Sequence, residues 1–119
     1  MKHSESTIEK SFEKLYEQSV DLTRASGTDI PDIVWKKYND GDNKIFAKWL
    51  VKMFDASDRK QIRELLKSDK VFNSQATQFV RNFEKILTGA NQTDDVDTVK
   101  SMLLKTDLGK IYSAIYKNM

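Results

Sequence analysis

Three lysines recur among large apolar residues in the segment 44–54, KIFAKWLVKMF. Lys44, Lys48 and Lys52 are four residues apart, which places them on one ridge of a helix that turns about 100° per residue. The rest of the segment carries six large apolar side chains: Ile45, Phe46, Trp49, Leu50, Met53 and Phe54. The pattern predicts an amphipathic helix with a buried apolar face, but a core, a partner groove and a membrane surface would all accept that face.

The length and composition of the chain predict one soluble globular domain. Of its 119 residues, 39% are hydrophobic and 32% are charged, which favours a folded chain over a disordered one. No apolar run approaches the roughly 20 residues of a membrane-spanning helix. The N-terminal residues have no apolar stretch typical of a secretory signal and no lipidation motif. We therefore expect a cytoplasmic protein. Cysteine is absent, which excludes disulfides but is compatible with any redox compartment.

Helix-breaking residues are few, and they divide the chain into short helical segments. Only Pro31 and four glycines interrupt it, namely Gly27, Gly41, Gly89 and Gly109. Ser6 and Glu9 have the spacing of a capping box, which predicts a first helix from Ser6 to about Ala25, ended by Gly27. Residues 1–5 would then form a frayed N-terminus.

Further signals predict the middle helices. Pro31 suits the first turn of a short second helix that ends in the segment 39–41, Asn-Asp-Gly. Asp42 can cap the third helix, which contains the segment 44–54. A fourth helix is expected after Ser57, with a break at residues 68–69.

The last third predicts three more helical segments. Phe72, Ala76, Phe79, Val80, Phe83 and Leu87 recur at helical spacing, and Gly89 suits the position just after that helix. Residues 93–95 offer caps for the next helix, and Thr106 or Asp107 precedes the last. Since no segment shows sustained alternation, we predict an all-α fold: a single domain over residues 1–119, built as a compact irregular, orthogonal bundle of about six to seven short helices.

The inventory of catalytic and metal-binding side chains is thin. The only histidine is His3, near the N-terminus. A serine triad and a histidine metal site each need a histidine within the folded domain, so neither is expected. There is no glycine-rich phosphate loop. The acidic segment 39–43 does not match a calcium loop, and helix capping explains the aspartates of residues 94–97. We therefore predict no catalytic, cofactor-binding or metal-binding residues, and no enzyme activity.

An acidic row is predicted along the first helix, which we call the acidic ridge. It comprises Glu9, Glu13, Glu17 and Asp21, each four residues from the next. A row of this kind is either a solvated helix face or a docking face for a basic partner.

Positive charge is concentrated in the middle of the chain. Residues 44–88 contain ten Lys or Arg and five Asp or Glu, whereas the whole chain has a net charge of only +2. The basic candidates for contact with a partner are Lys44, Lys48, Lys52, Arg59 and Arg63, and Lys60 and Lys67 join them as candidates for contact with phosphate groups. They could also be solvated or neutralised by the acidic ridge.

Two tyrosines near the C-terminus are candidates for interface contacts. Tyr112 and Tyr116 are one helical turn apart, and partly exposed aromatic residues are common anchors of interfaces. The alternative is a closing helix in which Tyr112 packs and Tyr116 is solvated.

These observations favour a binding protein over an enzyme. We expect a small helical interaction or adaptor module that binds another protein, or a second copy of itself, through a helix groove or a charged helix face. The alternative is a helical nucleic-acid-binding protein that uses the basic surface of residues 44–67. An enzyme that works with carboxylate, tyrosine or lysine side chains is a third class.

Overall fold

Helices account for most of the computed structural model, which describes residues 2–27, 29–90 and 95–119. These residues form seven α-helices and no strand. In chain order the helices are α1 (Lys2–Ala25), α2 (Asp32–Asn39), α3 (Ile45–Ala56), α4 (Arg59–Ser68), α5 (Lys70–Ala90), α6 (Val96–Lys105) and α7 (Asp107–Tyr116). The predicted all-α fold class and the predicted number of helices are confirmed.

Local backbone chemistry explains several helix ends that the sequence predicts. Gly27 and Gly41 follow α1 and α2 with φ values of 70° and 110°, a left-handed conformation that glycine adopts without a steric penalty. Asp58 caps α4, because its carboxylate accepts a hydrogen bond from the Gln61 N–H at 2.8 Å. The Asp58 N–H donates in return to Gln61 Oε1 at 3.0 Å, which completes a capping box.

Three predicted helix ends are wrong. α1 begins at Lys2, since no glycine or proline interrupts the residues before Ser6, and Ser6 therefore lies inside the helix. The N-cap of α3 is Lys44, because the Asp42 carboxylate accepts from the Lys44 N–H at 3.1 Å and thereby stabilises the turn before the helix. α5 continues through Gly89 to Ala90, as a glycine inside a helix costs only about 1 kcal/mol relative to alanine.

α5 is the central helix, and it packs against α1, α4, α6 and α7. Five residues of its predicted apolar stripe are buried: Phe72, Ala76, Phe79, Val80 and Phe83. The sixth, Leu87, is only partly buried against this core, and Ile86, which the prediction did not include, is buried instead. Other helices complete this main core with Leu15, Leu22, Leu50, Phe54, Ile62, Leu66, Leu108, Ile111 and Ile115. The radius of gyration is 14.6 Å, close to the roughly 13.5 Å of a compact domain of this length.

α1 buries two small polar residues, Ser19 and Thr23, without leaving their hydroxyl groups unpaired. The Ser19 hydroxyl donates to the Tyr16 carbonyl oxygen and the Thr23 hydroxyl to the Ser19 carbonyl oxygen, each at 2.6 Å. These bonds remove most of the cost of burying a polar group.

A second, smaller core holds α2 against α1 and α3. Val20 of α1, Val34 of α2 and Phe46 of α3 are its buried members. Trp35 and Tyr38 of α2 meet the Phe46 ring edge to face, with ring centroids 4.9 and 5.3 Å apart, a geometry that aromatic pairs favour. This small core fixes the position of α2 beside α3.

α6 and α7 meet at a tight corner. The Thr106 hydroxyl accepts from the Gly109 N–H at 3.1 Å and caps α7. The helix therefore follows Thr106, one of the two residues that the sequence predicts before it. A Cβ atom on Gly109 would lie 2.6 Å from Leu104 Cα, so the close approach of the two helices requires glycine. At the start of α6, Asp95 is the N-cap but makes no side-chain capping bond, and the other predicted caps, residues 93–94, lie outside the described residues.

Candidate functional site

The described side chains of the acidic ridge are exposed, and cationic side chains lie among them on α1. Glu13, Glu17 and Asp21 are exposed, and the side chain of Glu9 lies outside the described residues. Three exposed cations are interleaved with them on α1: Lys10, Lys14 and Arg24. Over residues 10–24 the exposed face of α1 therefore has balanced charge, and neighbouring opposite charges stabilise the helix locally.

The three lysines of the segment 44–54 lie in two different environments. Lys44, Lys48 and Lys52 are all exposed. The Lys44 ammonium lies 5.6 Å from the centroid of the Tyr16 ring, within cation–π range, so Lys44 is directed towards α1. Lys48 and Lys52 instead line a groove between α2 and α3.

This α2–α3 groove combines an apolar wall with a charged rim. It encloses about 660 Å³, and its apolar lining residues are Pro31, Ile33, Val34, Ile45, Trp49 and Val51. Ile33 is 55% exposed, and Trp49 is half-buried. An exposed isoleucine in a groove that also holds a partly buried tryptophan leaves apolar surface that the fold itself does not cover.

The rim of the α2–α3 groove has more positive than negative charge. Lys37, Lys48 and Lys52 line it together with Asp42 and Asp107. The three lysines outnumber the two aspartates, so the groove is suited to a ligand with negative charge at its edges.

Asp107 also acts on Tyr16. Burial raises the pKa of Tyr16 above its ordinary value, and the nearby Asp107 carboxylate raises it further. Tyr16 thus stays protonated at neutral pH as a neutral phenol.

A second groove follows α5 along its outer face. One part lies between α4, α5 and the C-terminal residues, and the next lies between α5 and α7; they enclose about 470 and 490 Å³ and share Met119. Four cationic residues line this α5 groove: Arg63, Lys67, Lys70 and Arg81. Of the predicted partner-binding residues, Arg63 and Tyr116 belong here, whereas Arg59 is exposed and lines neither groove.

Three stacked rings connect the main core to the α5 groove. The rings of Phe83 and Tyr112 are 4.8 Å apart at 26°, and those of Tyr112 and Tyr116 are 5.6 Å apart at 28°. Phe83 is fully buried, Tyr112 is half-buried and Tyr116 is 57% exposed. This aromatic stack therefore ends in an accessible tyrosine ring held in place by the rings beneath it.

Tyr112 is fixed by a hydrogen bond as well as by stacking. Its hydroxyl donates to the Glu84 carboxylate at 3.2 Å. Burial raises the pKa of Tyr112, and the charge of Glu84 and this hydrogen bond raise it further. Glu84, the one acidic residue that lines the α5 groove in the described parts of the chain, is thus engaged by Tyr112.

The described ranges contain neither a cluster of metal-binding side chains nor a membrane-spanning helix. Within residues 2–27, 29–90 and 95–119, no group of three or more acidic or histidine side chains is placed to hold a metal ion. None of the helices described there is both long enough and apolar enough to cross a membrane.

Sequence reasoning found only part of each groove. The residues that follow from helical spacing and charge are Lys48, Lys52, Arg63, Lys67 and Tyr116. The cations of α5 were missed, although the sequence contains a signal for them. Lys70, Asn73, Thr77 and Arg81 repeat at spacings of three and four on the face beside the apolar stripe.

Comparison with known proteins does not assign a family or a function to these grooves. No protein-family model, curated protein or solved structure matches the chain.

Proposed function

We propose that the protein is an interaction module whose α2–α3 groove binds an acidic amphipathic helix of another protein. The observation that carries this proposal is the apolar wall around Ile33 and Trp49, set between lysines on α2 and α3. A helix with one apolar face would cover Ile33 and the indole ring. Its acidic residues would meet Lys37 on one side and the lysines of α3 on the other.

The two kinds of contact have different roles. Aromatic and aliphatic anchors buried at the centre of an interface supply most of the affinity, and Trp49 is the aromatic anchor of this groove. Lysines at a solvent-exposed rim contribute less affinity, but they raise the association rate of an acidic partner and disfavour a basic one.

A second copy of this chain is a less suitable partner for the groove. The exposed face of α1 over residues 10–24 has as many positive as negative side chains. It therefore offers no net negative charge to Lys48 and Lys52.

Two designed peptides test the proposal. One is a helical peptide of about 15 residues with leucines on one face and glutamates on the other, and its counterpart has lysine in place of each glutamate. We expect the acidic peptide to bind more tightly by fluorescence anisotropy. The double variant Lys48→Ala/Lys52→Ala should weaken its binding about 2- to 30-fold, since each exposed ion pair is worth about 0.2–1 kcal/mol.

Matched controls separate the groove from general effects. Lys10→Ala/Lys14→Ala removes two exposed lysines from α1, and Val71→Ser changes an apolar side chain that is 62% exposed and lies outside the groove. These variants should bind like the wild type, whereas Ile33→Ser should bind more weakly. The proposal is wrong if both peptides bind equally, or if the groove variants and the controls behave alike.

A further inference from the structure

We propose that the α5 groove binds a short stretch of single-stranded nucleic acid. Two independent features lie in this one groove: a row of cationic side chains and the exposed end of the aromatic stack. Grooves that hold single strands combine these elements, because cations follow the phosphates while aromatic rings stack on the bases.

The cations are arranged along the groove and are open to solvent. Arg63 and Lys67 are exposed on α4, and Lys70 and Arg81 are exposed on α5. At 1.5 Å per residue, Lys70 and Arg81 are about 17 Å apart along the axis of α5. These four cations outnumber Glu84, the one acidic side chain that lines the groove in the described parts of the chain, so the groove presents a path of net positive charge to a polyanion.

Tyr116 distinguishes a single strand from other polyanions. One face of its ring stacks on Tyr112, while 57% of the residue stays exposed. A base that is not paired can stack on such a ring, whereas the bases of a duplex are already stacked on each other. A phosphorylated peptide would use the cations, but it would not need the exposed tyrosine.

Salt dependence gives the first test. The probe is a fluorescein-labelled oligothymidylate of about 15 nucleotides, and its affinity is measured by anisotropy between about 50 and 200 mM salt. Four phosphate contacts on a single strand predict a log–log slope of about −2.8, a loss of about 50-fold over this range. For Lys67→Ala/Arg81→Ala the slope should fall to about −1.4, a loss of about 7-fold, while the control Lys10→Ala/Lys14→Ala keeps the steeper slope.

Stacking gives the second test, which does not depend on charge. Tyr116→Ala should weaken binding about 5- to 150-fold at constant salt, because stacking of a base on an aromatic side chain is worth about 1–3 kcal/mol. Its salt slope should remain that of the wild type. Met102→Ala is the matched control, since Met102 is 64% exposed and lies outside the groove.

Each alternative outcome overturns the proposal. If the oligonucleotide does not bind at about 50 mM salt, the groove is not a nucleic-acid site. If Tyr116→Ala binds as well as the wild type, or if polyglutamate or a duplex of equal length binds as tightly as the single strand, the groove is a general polyanion surface. Thermal unfolding followed by circular dichroism checks that each variant remains folded.

Discussion

Gly109→Ala should destabilise the protein, because the added Cβ atom would clash with the backbone of α6. The added Cβ would lie 2.6 Å from Leu104 Cα and 2.8 Å from the Leu104 carbonyl carbon, and closer still to the Leu103 carbonyl oxygen. All three are backbone atoms, so the α6–α7 corner must open. Overpacking of this kind costs about 1–3 kcal/mol. We expect a cost near the upper end, about 3 kcal/mol, because backbone atoms cannot move aside as a flexible side chain can.

The higher helix propensity of the introduced alanine offsets part of this cost. Alanine is favoured over glycine in a helix by about 1 kcal/mol, which leaves a net loss of about 2 kcal/mol in the free energy of unfolding. At roughly 4 °C per kcal/mol for a chain of this size, Tm should fall by about 8 °C in calorimetry.

Gly89→Ala is the matched control for this prediction. Gly89 also lies in a helix, but a Cβ there would have no neighbour within 4 Å. The substitution should therefore raise stability by the propensity gain alone, about 1 kcal/mol. If Gly109→Ala were as stable as the wild type, or if both substitutions shifted Tm in the same direction, the tight corner would not constrain the fold as we argue.

Three other predictions concern stability. Asp58→Ala removes the capping box of α4 and should cost about 1 kcal/mol in urea unfolding; Asp58→Asn should retain most of it, and equal losses would contradict the capping role. Phe83→Ala should cost about 3–5 kcal/mol and Phe83→Leu much less, a difference that urea unfolding measures directly. Burial and nearby carboxylates raise the pKa of Tyr16 and Tyr112, which favours the protonated phenols in the folded state. Their contribution to stability is therefore complete below about pH 10 and is lost as the pH rises through the raised pKa values. The variant Tyr16→Phe/Tyr112→Phe should therefore lose less stability than the wild type between about pH 9 and pH 11. An equal loss would show that these two tyrosines do not have raised pKa values.

Helix formation was predictable wherever local chemistry decides it. The left-handed glycines at Gly27 and Gly41 and the hydroxyl of Thr106 act on their own neighbours in sequence, so no tertiary contact is needed to anticipate them. Gly89 could not be judged in the same way. Glycine is compatible with both a helix and a helix end, and α5 continues through it.

The grooves were predictable only in part, because each has walls from different helices. Helical periodicity showed that Lys48 and Lys52 would be exposed. It could not show that Ile33 and Lys37 of α2 would face them, since this depends on how the small core holds α2. The same reason explains why the cations of α4 and α5 could not be joined to Tyr116 from spacing alone.

Both tryptophans of the chain belong to the small core around α2 and α3. Trp35 packs edge to face on Phe46, and Trp49 contacts the same core and lines the α2–α3 groove. The chain contains no other tryptophan, so its tryptophan fluorescence arises in this corner alone. A ligand in the α2–α3 groove should shift that emission, whereas a ligand in the α5 groove should instead quench tyrosine, which gives each groove its own optical signal without any label.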